Sequence, residues 1–331
     1  MGSWPARATR TAARLLGAAL LILASAASGI ARAEETPQDP ARILGLSARP
    51  RAGEVIQLEL RKAQERMAPN RPLQRSSSLL HVTLEVLESG PQGMVVRWSH
   101  SRPDAQAAES APEIPDDADV IWELVQDIHY DLEFDAHGEF VQLRNYEEVR
   151  PLVDRMLDEI GTILARRGNA QAAEQATVLV RRLFASRANM ESVLLREPRL
   201  FFLPLGKRFT LDAPSEYEAQ LPNPFGGAGL PANGVLRVDW IDRNRNLASV
   251  TMEQALHPDS VRIAVESLLE RLPPERRPLN VDTSRIEVEV RDLARYTVNL
   301  EDGLPERMEF TRTTRVPGGY RLDVVSVQRT Q

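Results

Sequence analysis

The residues best spaced for chemistry are Asp242, Asn244, Asn246 and Glu253. They occupy positions 1, 3, 5 and 12 of the pattern that wraps a hard cation such as calcium in oxygen ligands. Position 6, where that loop bends sharply and wants glycine, is Leu247, and the flanking segments alternate like strands rather than helices. The same residues also read as a polar hairpin turn, so two readings stand. Acids at Glu109, Glu113, Asp116, Asp117 and Asp119 could likewise gather a divalent cation or simply line a solvated loop. A third feature runs from Leu221 to Pro231, with three prolines and three glycines around the apolar residues Leu221, Phe225 and Leu230. Proline stiffens such a segment and glycine lets backbone approach closely. It suits the rim of an apolar cavity or a docking loop, or else a connection that tucks Phe225 into the core.

Other chemistry has little to work with. The five histidines, His81, His100, His129, His137 and His257, do not show the spacing of a zinc helix. There is no G-x-S-x-G, S-x-x-K, P-loop or G-x-G-x-x-G. The chain has no cysteine, which excludes disulfides, thiol catalysis and Cys-based metal sites. No cofactor is expected. Dispersed carboxylates could still serve a hydrolase, because they need no local motif.

The N-terminus points to export. Arg7, Arg10 and Arg14 precede a charge-free stretch, Leu15–Ala31, that ends in Ala31-Arg32-Ala33 before the first acid, Glu34. Basic, apolar, then small-x-small is the pattern of a cleavable secretory signal. The 17-residue stretch is shorter than the ~20 apolar residues of a typical spanning helix, so no stable membrane span is expected after cleavage near Ala33. Removing residues 1–33 takes four arginines and no acid, which moves the formal charge from −6 to −10. An acidic chain of that kind argues against nucleic acid and anionic lipid surfaces as partners. The lack of cysteine and of Asn-x-Ser/Thr sequons favours a bacterial periplasm.

Several elements must position these residues. Residues 34–52 read as a flexible leader. Glu54–Arg61 and Leu79–Leu87 alternate with strand period, and Met94–Trp98 returns after the turn Ser89–Gly93. Residues 99–119 break the pattern as a surface loop. Ile128–Phe134 and Glu139–Leu143 form a hairpin through Asp135–Gly138. Asn145 reads as the cap of a helical block, 145–197, with helices up to Gly168, over Ala170–Ala185 and over Arg187–Arg196, the last stopped at Pro198. Leu200–Leu211 has strand character. Val235–Ile241 and Leu247–Glu253 flank the polar turn, and one further helix spans about 259–272. Strands at Ile286–Val290, Arg295–Leu300, Glu306–Thr313 and Tyr320–Val327 complete the chain. The expected class is α+β: a curved antiparallel sheet built of hairpins, with a helical insert. The folded part is 53–331, as one domain or as two β-rich halves, 53–197 and 198–331.

Tyr130–Phe140 and Tyr296–Phe310 share one grammar: an aromatic residue, an alternating strand, an acidic-Gly turn and a return strand, the second including Gly303-Leu304-Pro305. This resembles uncharacterised exported bacterial domains. The C-terminal piece is also similar to the curved antiparallel sheets of periplasmic lipoprotein carriers and related lipid-binding proteins. The resemblance covers under a third of the chain and carries no site residues. It implies a non-enzymatic envelope role. The leading expectation is therefore a periplasmic module that binds a lipid, another apolar ligand or an envelope protein. A hydrolase and a purely structural protein are the alternatives.

Overall fold

In a computed structural model, the chain is described at residues 43–69, 71–101, 126, 128–167, 178, 181, 184, 186–221, 230–271 and 288–330. The signal-like segment, the acidic stretch 109–119, Phe225 and nearly all of the expected helix 170–185 lie outside these residues.

Thirteen strands are described: β1 (Ile43–Gly45), β2 (Val55–Met67), β3 (Gln74–Gly90), β4 (Gly93–Ser101), β5 (His129–Asp135), β6 (Phe140–Leu143), β7 (Arg208–Thr210), β8 (Ser215–Leu221), β9 (Leu230–Asp242), β10 (Leu247–Leu256), β11 (Glu289–Asn299), β12 (Pro305–Val316) and β13 (Gly319–Thr330). The described helices are α1 (Tyr146–Arg167), α2 (Arg187–Leu194), α3 (Arg196–Phe201) and α4 (Pro258–Arg271). Eleven strands form one open, curved antiparallel sheet in the order β6-β5-β4-β3-β2-β13-β12-β11-β10-β9-β8. Successive strands pair as neighbours, and the C-terminal strand β13 inserts beside β2. The class is α+β, cysteine-free and rich in strand, as expected.

One face of this sheet is the core. Along β2 the alternation buries Ile56, Leu58 and Leu60, and on β3 it buries Val82, Leu84 and Val86. Trp98, Phe134, Phe201 and Phe202 meet edge-on or tilted over the β4–β5 side, with ring centroids 4.7–6.5 Å apart. α3 packs against β12 and α4 against β9. Tyr296 of β11 fastens α3 to the sheet by donating its hydroxyl to the Leu200 carbonyl at 2.9 Å. Among the described residues, no helix is long and apolar enough to cross a membrane.

Several expectations change in physical detail. The sequence reads 34–52 as a flexible leader, but in its described part, residues 43–52, β1 pairs with β7, Leu46 is buried, and Arg49 N–H donates to the Asp302 carbonyl at 2.7 Å. Ser99–Ser101 continue β4 because they pair with β3 at His81–Thr83. Asn145 caps through its backbone only. Its carbonyl accepts from Glu148 and Val149, while its side chain joins β5, accepting from Asp131 N–H and donating to the His129 carbonyl. Pro198 does not stop the helical block, because it sits in the first turn of α3, where no intrahelical N–H is required. Leu200–Leu211 is therefore the end of α3, a run of turns, and only three residues of strand. β11 is one continuous strand where two were expected, and β8 was not anticipated at all.

Candidate functional site

Strand register sorts the core face into transverse rows. One row joins Leu80, Leu60, Val327, Met308, Tyr296, Val250 and Val238 across seven strands and is wholly apolar. The next joins Lys62, Val325, Phe310, Ala294, Met252 and Leu236. Two residues further along each strand, ~7 Å at strand rise, the chemistry reverses. Gln64, Asp323, Arg312, Asp292, Gln254, Gly234 and Tyr217 lie side by side on seven neighbouring strands. The interior is thus apolar through the first row, apolar but for Lys62 at the β2 end of the second, and ionic in the third.

Most of the ionic row is paired, although Asp323 Oδ2 is buried without a hydrogen-bond partner among the described residues. Arg312, with no exposed surface, donates Nε and Nη2 to the two carboxylate oxygens of Asp292, each at 2.6 Å. Asp323 faces Arg312 across β12–β13. It accepts from Gln64 Nε2 at 2.9 Å and from Arg321 Nη2 at 2.8 Å. Tyr217 lies flat over Gly234, where an added Cβ would fall 2.1 Å from Tyr217 Cζ. Its hydroxyl donates to Gln254 Oε1 at 3.4 Å. Burial, and then the Asp292 charge, raise the Tyr217 pKa and keep it a neutral donor.

The beginning of α3 adds two charges over this row. Glu197 pairs with Lys62 at 2.7 Å. Burial alone pushes its carboxyl up, but the Lys62 charge and hydrogen bond, with Arg196 beside it, hold it below the usual carboxylate range. Arg196 lies within electrostatic reach of Arg312, Asp323 and Asp292. Its Nε and Nη2 are buried, and among the described residues they have no hydrogen-bond partner. Burial, followed by the Arg312 charge, lowers its pKa. Nearby, His100 accepts from Trp98 Nε1 at 3.1 Å. Burial, and then the Lys62 charge, hold its pKa down at about 4, so the ring is neutral.

The site residues expected from sequence are scattered. Leu230 is fully buried at the start of β9, Leu221 ends β8 in register with it, and Phe225 lies outside the described residues. Asp242, Asn244 and Asn246 share the β9–β10 turn. Asp242 Oδ1 accepts from the backbone of Asn244 and Arg245, and Asn246 adopts φ 53°. Glu253 sits six residues beyond Leu247 on β10, paired with Arg237 at 2.9 Å, roughly 20 Å away at strand rise. The turn and Glu253 are therefore not brought together. Among the described residues, no three acid or imidazole side chains are placed to hold a metal ion. Glu253 instead borders an open trough of about 1090 Å³ beside edge strand β8, with Glu216, Glu218 and Arg291. Sequence reasoning missed the ionic row. Strand parity was the available signal: Met308 and Phe310 inside place Arg312 inside.

No family profile and no curated protein matches the sequence. Solved structures with a loose likeness include the following two. A structure of lipovitellin reporting lipid–protein interactions aligns with TM-score 0.40 and 9% identity over 85% of this chain and 25% of that one. This chain thus spans a quarter of that length. Rv2717c from M. tuberculosis aligns with TM-score 0.24 and 7% identity over 83% and 91% of the two chains. Both likenesses are too loose to assign a fold or a role.

Proposed function

We propose that the protein is a non-catalytic binding module whose inner sheet face receives an apolar ligand. The observation that carries this reading is the amphipathic order of the inner rows. Between α3 on β12 and α4 on β9, strands β10 and β11 form a floor of Val250, Met252, Ala294 and Tyr296. Ala294 contributes only a methyl group to this floor, and a chain of methylenes laid against it would gain ~0.8 kcal/mol for each CH₂ taken from water. The floor ends at the polar row, which suits a molecule that is apolar along its length and polar at one end. The charge run and apolar stretch of residues 1–33 support export, with lipid or an envelope protein met in the periplasm. The test is purification of the native protein from periplasm, solvent extraction and mass spectrometry. The expected result is a chain beginning near Glu34 and a co-purifying long-chain species. A protein that carries no such species, and takes up none when offered acyl chains after delipidation, contradicts the reading.

A further inference from the structure

The two edges of the main sheet are built differently. At one end, β6 is four residues long. Its last backbone groups are taken by α2: Leu143 N–H donates to Glu191 Oε1 at 3.3 Å, and the Leu143 carbonyl accepts from Arg187 Nη2 at 2.7 Å. At the other end, β8 is seven residues long. It pairs with β9 from Ser215–Leu236 to Leu221–Leu230, and among the described residues no strand pairs with its other side. In an antiparallel pair, alternate residues of an edge strand turn both N–H and C=O away from the neighbour. Such a row is a template for one more strand. The side chains of β8 select which strand. Tyr217 and Ala219 are buried on the inner face, whereas Glu216 and Glu218 are exposed on the outer one. Both glutamates border the open trough, so a long basic side chain laid against them keeps its charged end in water. Farther along the trough, Glu253 and Arg291 already pair with Arg237 and Glu289. A second copy is a poor occupant. Pairing β8 with its own copy over the full length would set one Glu218 directly opposite the other, and like charges so placed are destabilising.

We infer that β8 takes up a basic, extended segment of another protein as a twelfth strand of the sheet. The segment carries arginine or lysine at alternate positions, opposite Glu216 and Glu218, with small apolar residues between them, beside Tyr217 and Ala219. The backbone ladder supplies affinity, and the alternation of side chains supplies selection. The chain as a whole points the same way. Its formal charge of −6, or −10 without residues 1–33, draws a basic partner towards it. The site lies on the sheet edge and does not rest on the apolar-ligand reading of the inner face.

The experiment offers capped, fluorescently labelled heptapeptides to the purified protein and reads anisotropy. The first alternates valine with arginine. The second has glutamate in place of arginine. The third is an isomer of the first with its arginines contiguous, and the fourth is the first peptide N-methylated at every residue. The alternating arginine peptide should bind at least tenfold more tightly than each of the others. On binding it should slow hydrogen exchange of the Ser215–Leu221 amides. The double variant Glu216→Lys, Glu218→Lys should reverse the order of the arginine and glutamate peptides. Circular dichroism melts establish that the variant is folded, and the four peptides on the unmodified chain need no variant. Equal binding of the N-methylated peptide would show charge attraction without a ladder and overturn the added strand. Equal binding of the contiguous isomer would overturn the alternation. Exchange already slow along β8 in the free monomer, or no binding of any peptide, would show an edge closed to a partner and overturn the proposal. Protection of β8 that appears only as the protein dimerises would assign the edge to a second copy and overturn it as well.

Discussion

Arg312 and Asp292 hold each other in a setting that neither could occupy alone. Removing one partner of such a pair strands the other charge, which costs about 3–5 kcal/mol. Arg312→Met should therefore lower the unfolding free energy measured by urea titration by that amount, whereas the double variant Arg312→Met, Asp292→Leu should recover most of it, because neither charge of the pair is then left without the other. His100 gives a pH signature. Folded, it stays neutral down to about pH 4, while the unfolded chain takes up its proton near 6.5. Between those values the unfolded state holds more protons, so stability is complete above 6.5 and falls as pH drops towards 4, by roughly 3 kcal/mol. His100→Gln should flatten the stability–pH curve in that window, as read by thermal melts at stepped pH. An unchanged curve would remove the buried neutral imidazole from the account. At this scale the sequence is legible only by parity. The alternation in Glu54–Arg61 shows which side chains go inward. It does not show that Arg312, Asp292 and Asp323 would share one row, because that depends on the register of strands far apart in the chain.

Elements built on local chemistry were the readable ones. The turns at Asp135–Gly138, Asp302-Gly303 and Pro317–Gly319 each contain a glycine at positive φ, as tight hairpins require. What local reasoning could not supply was contact made at a distance. Read locally, Pro198 is a stop and residues 34–52 are a flexible leader. Gly303 shows why the described part of that leader is held. It sits at φ 75°, and an added Cβ would lie 2.1 Å from the Ser47 carbonyl oxygen. Gly303→Ala should cost about 2 kcal/mol through strain and loss of this close approach. It should also expose the Arg51–Ala52 bond to faster trypsin cleavage than in the unmodified protein, with peptide mapping as the readout. Cleavage at an unchanged rate would mean that the leader is held by other contacts. Gly234→Val on β9 should displace the Tyr217 ring and cost a similar amount, seen as altered near-ultraviolet circular dichroism together with a lower melting temperature.

Across the whole molecule, β2 and β13 close the architecture. Their pairing runs from Gln57–Thr330 to Met67–Tyr320 and joins an N-terminal meander to a C-terminal one within a single sheet. Ending the chain after Val316 should therefore abolish cooperative folding rather than trim an edge, and the unmodified protein should unfold in one transition with coincident fluorescence and circular dichroism. Two separated transitions would divide the sheet at β2–β13. The same closure aligns Gln64 and Lys62 with strands contributed by the far end of the chain, which is how an ionic row forms beside an apolar floor. The most direct test of that interior is a crystal structure with a fatty acid brominated at its terminal carbon. The account predicts anomalous density above Val250 and Tyr296, between α3 and α4. Bromine on the outer face, or a protein that takes up no fatty acid, would contradict it.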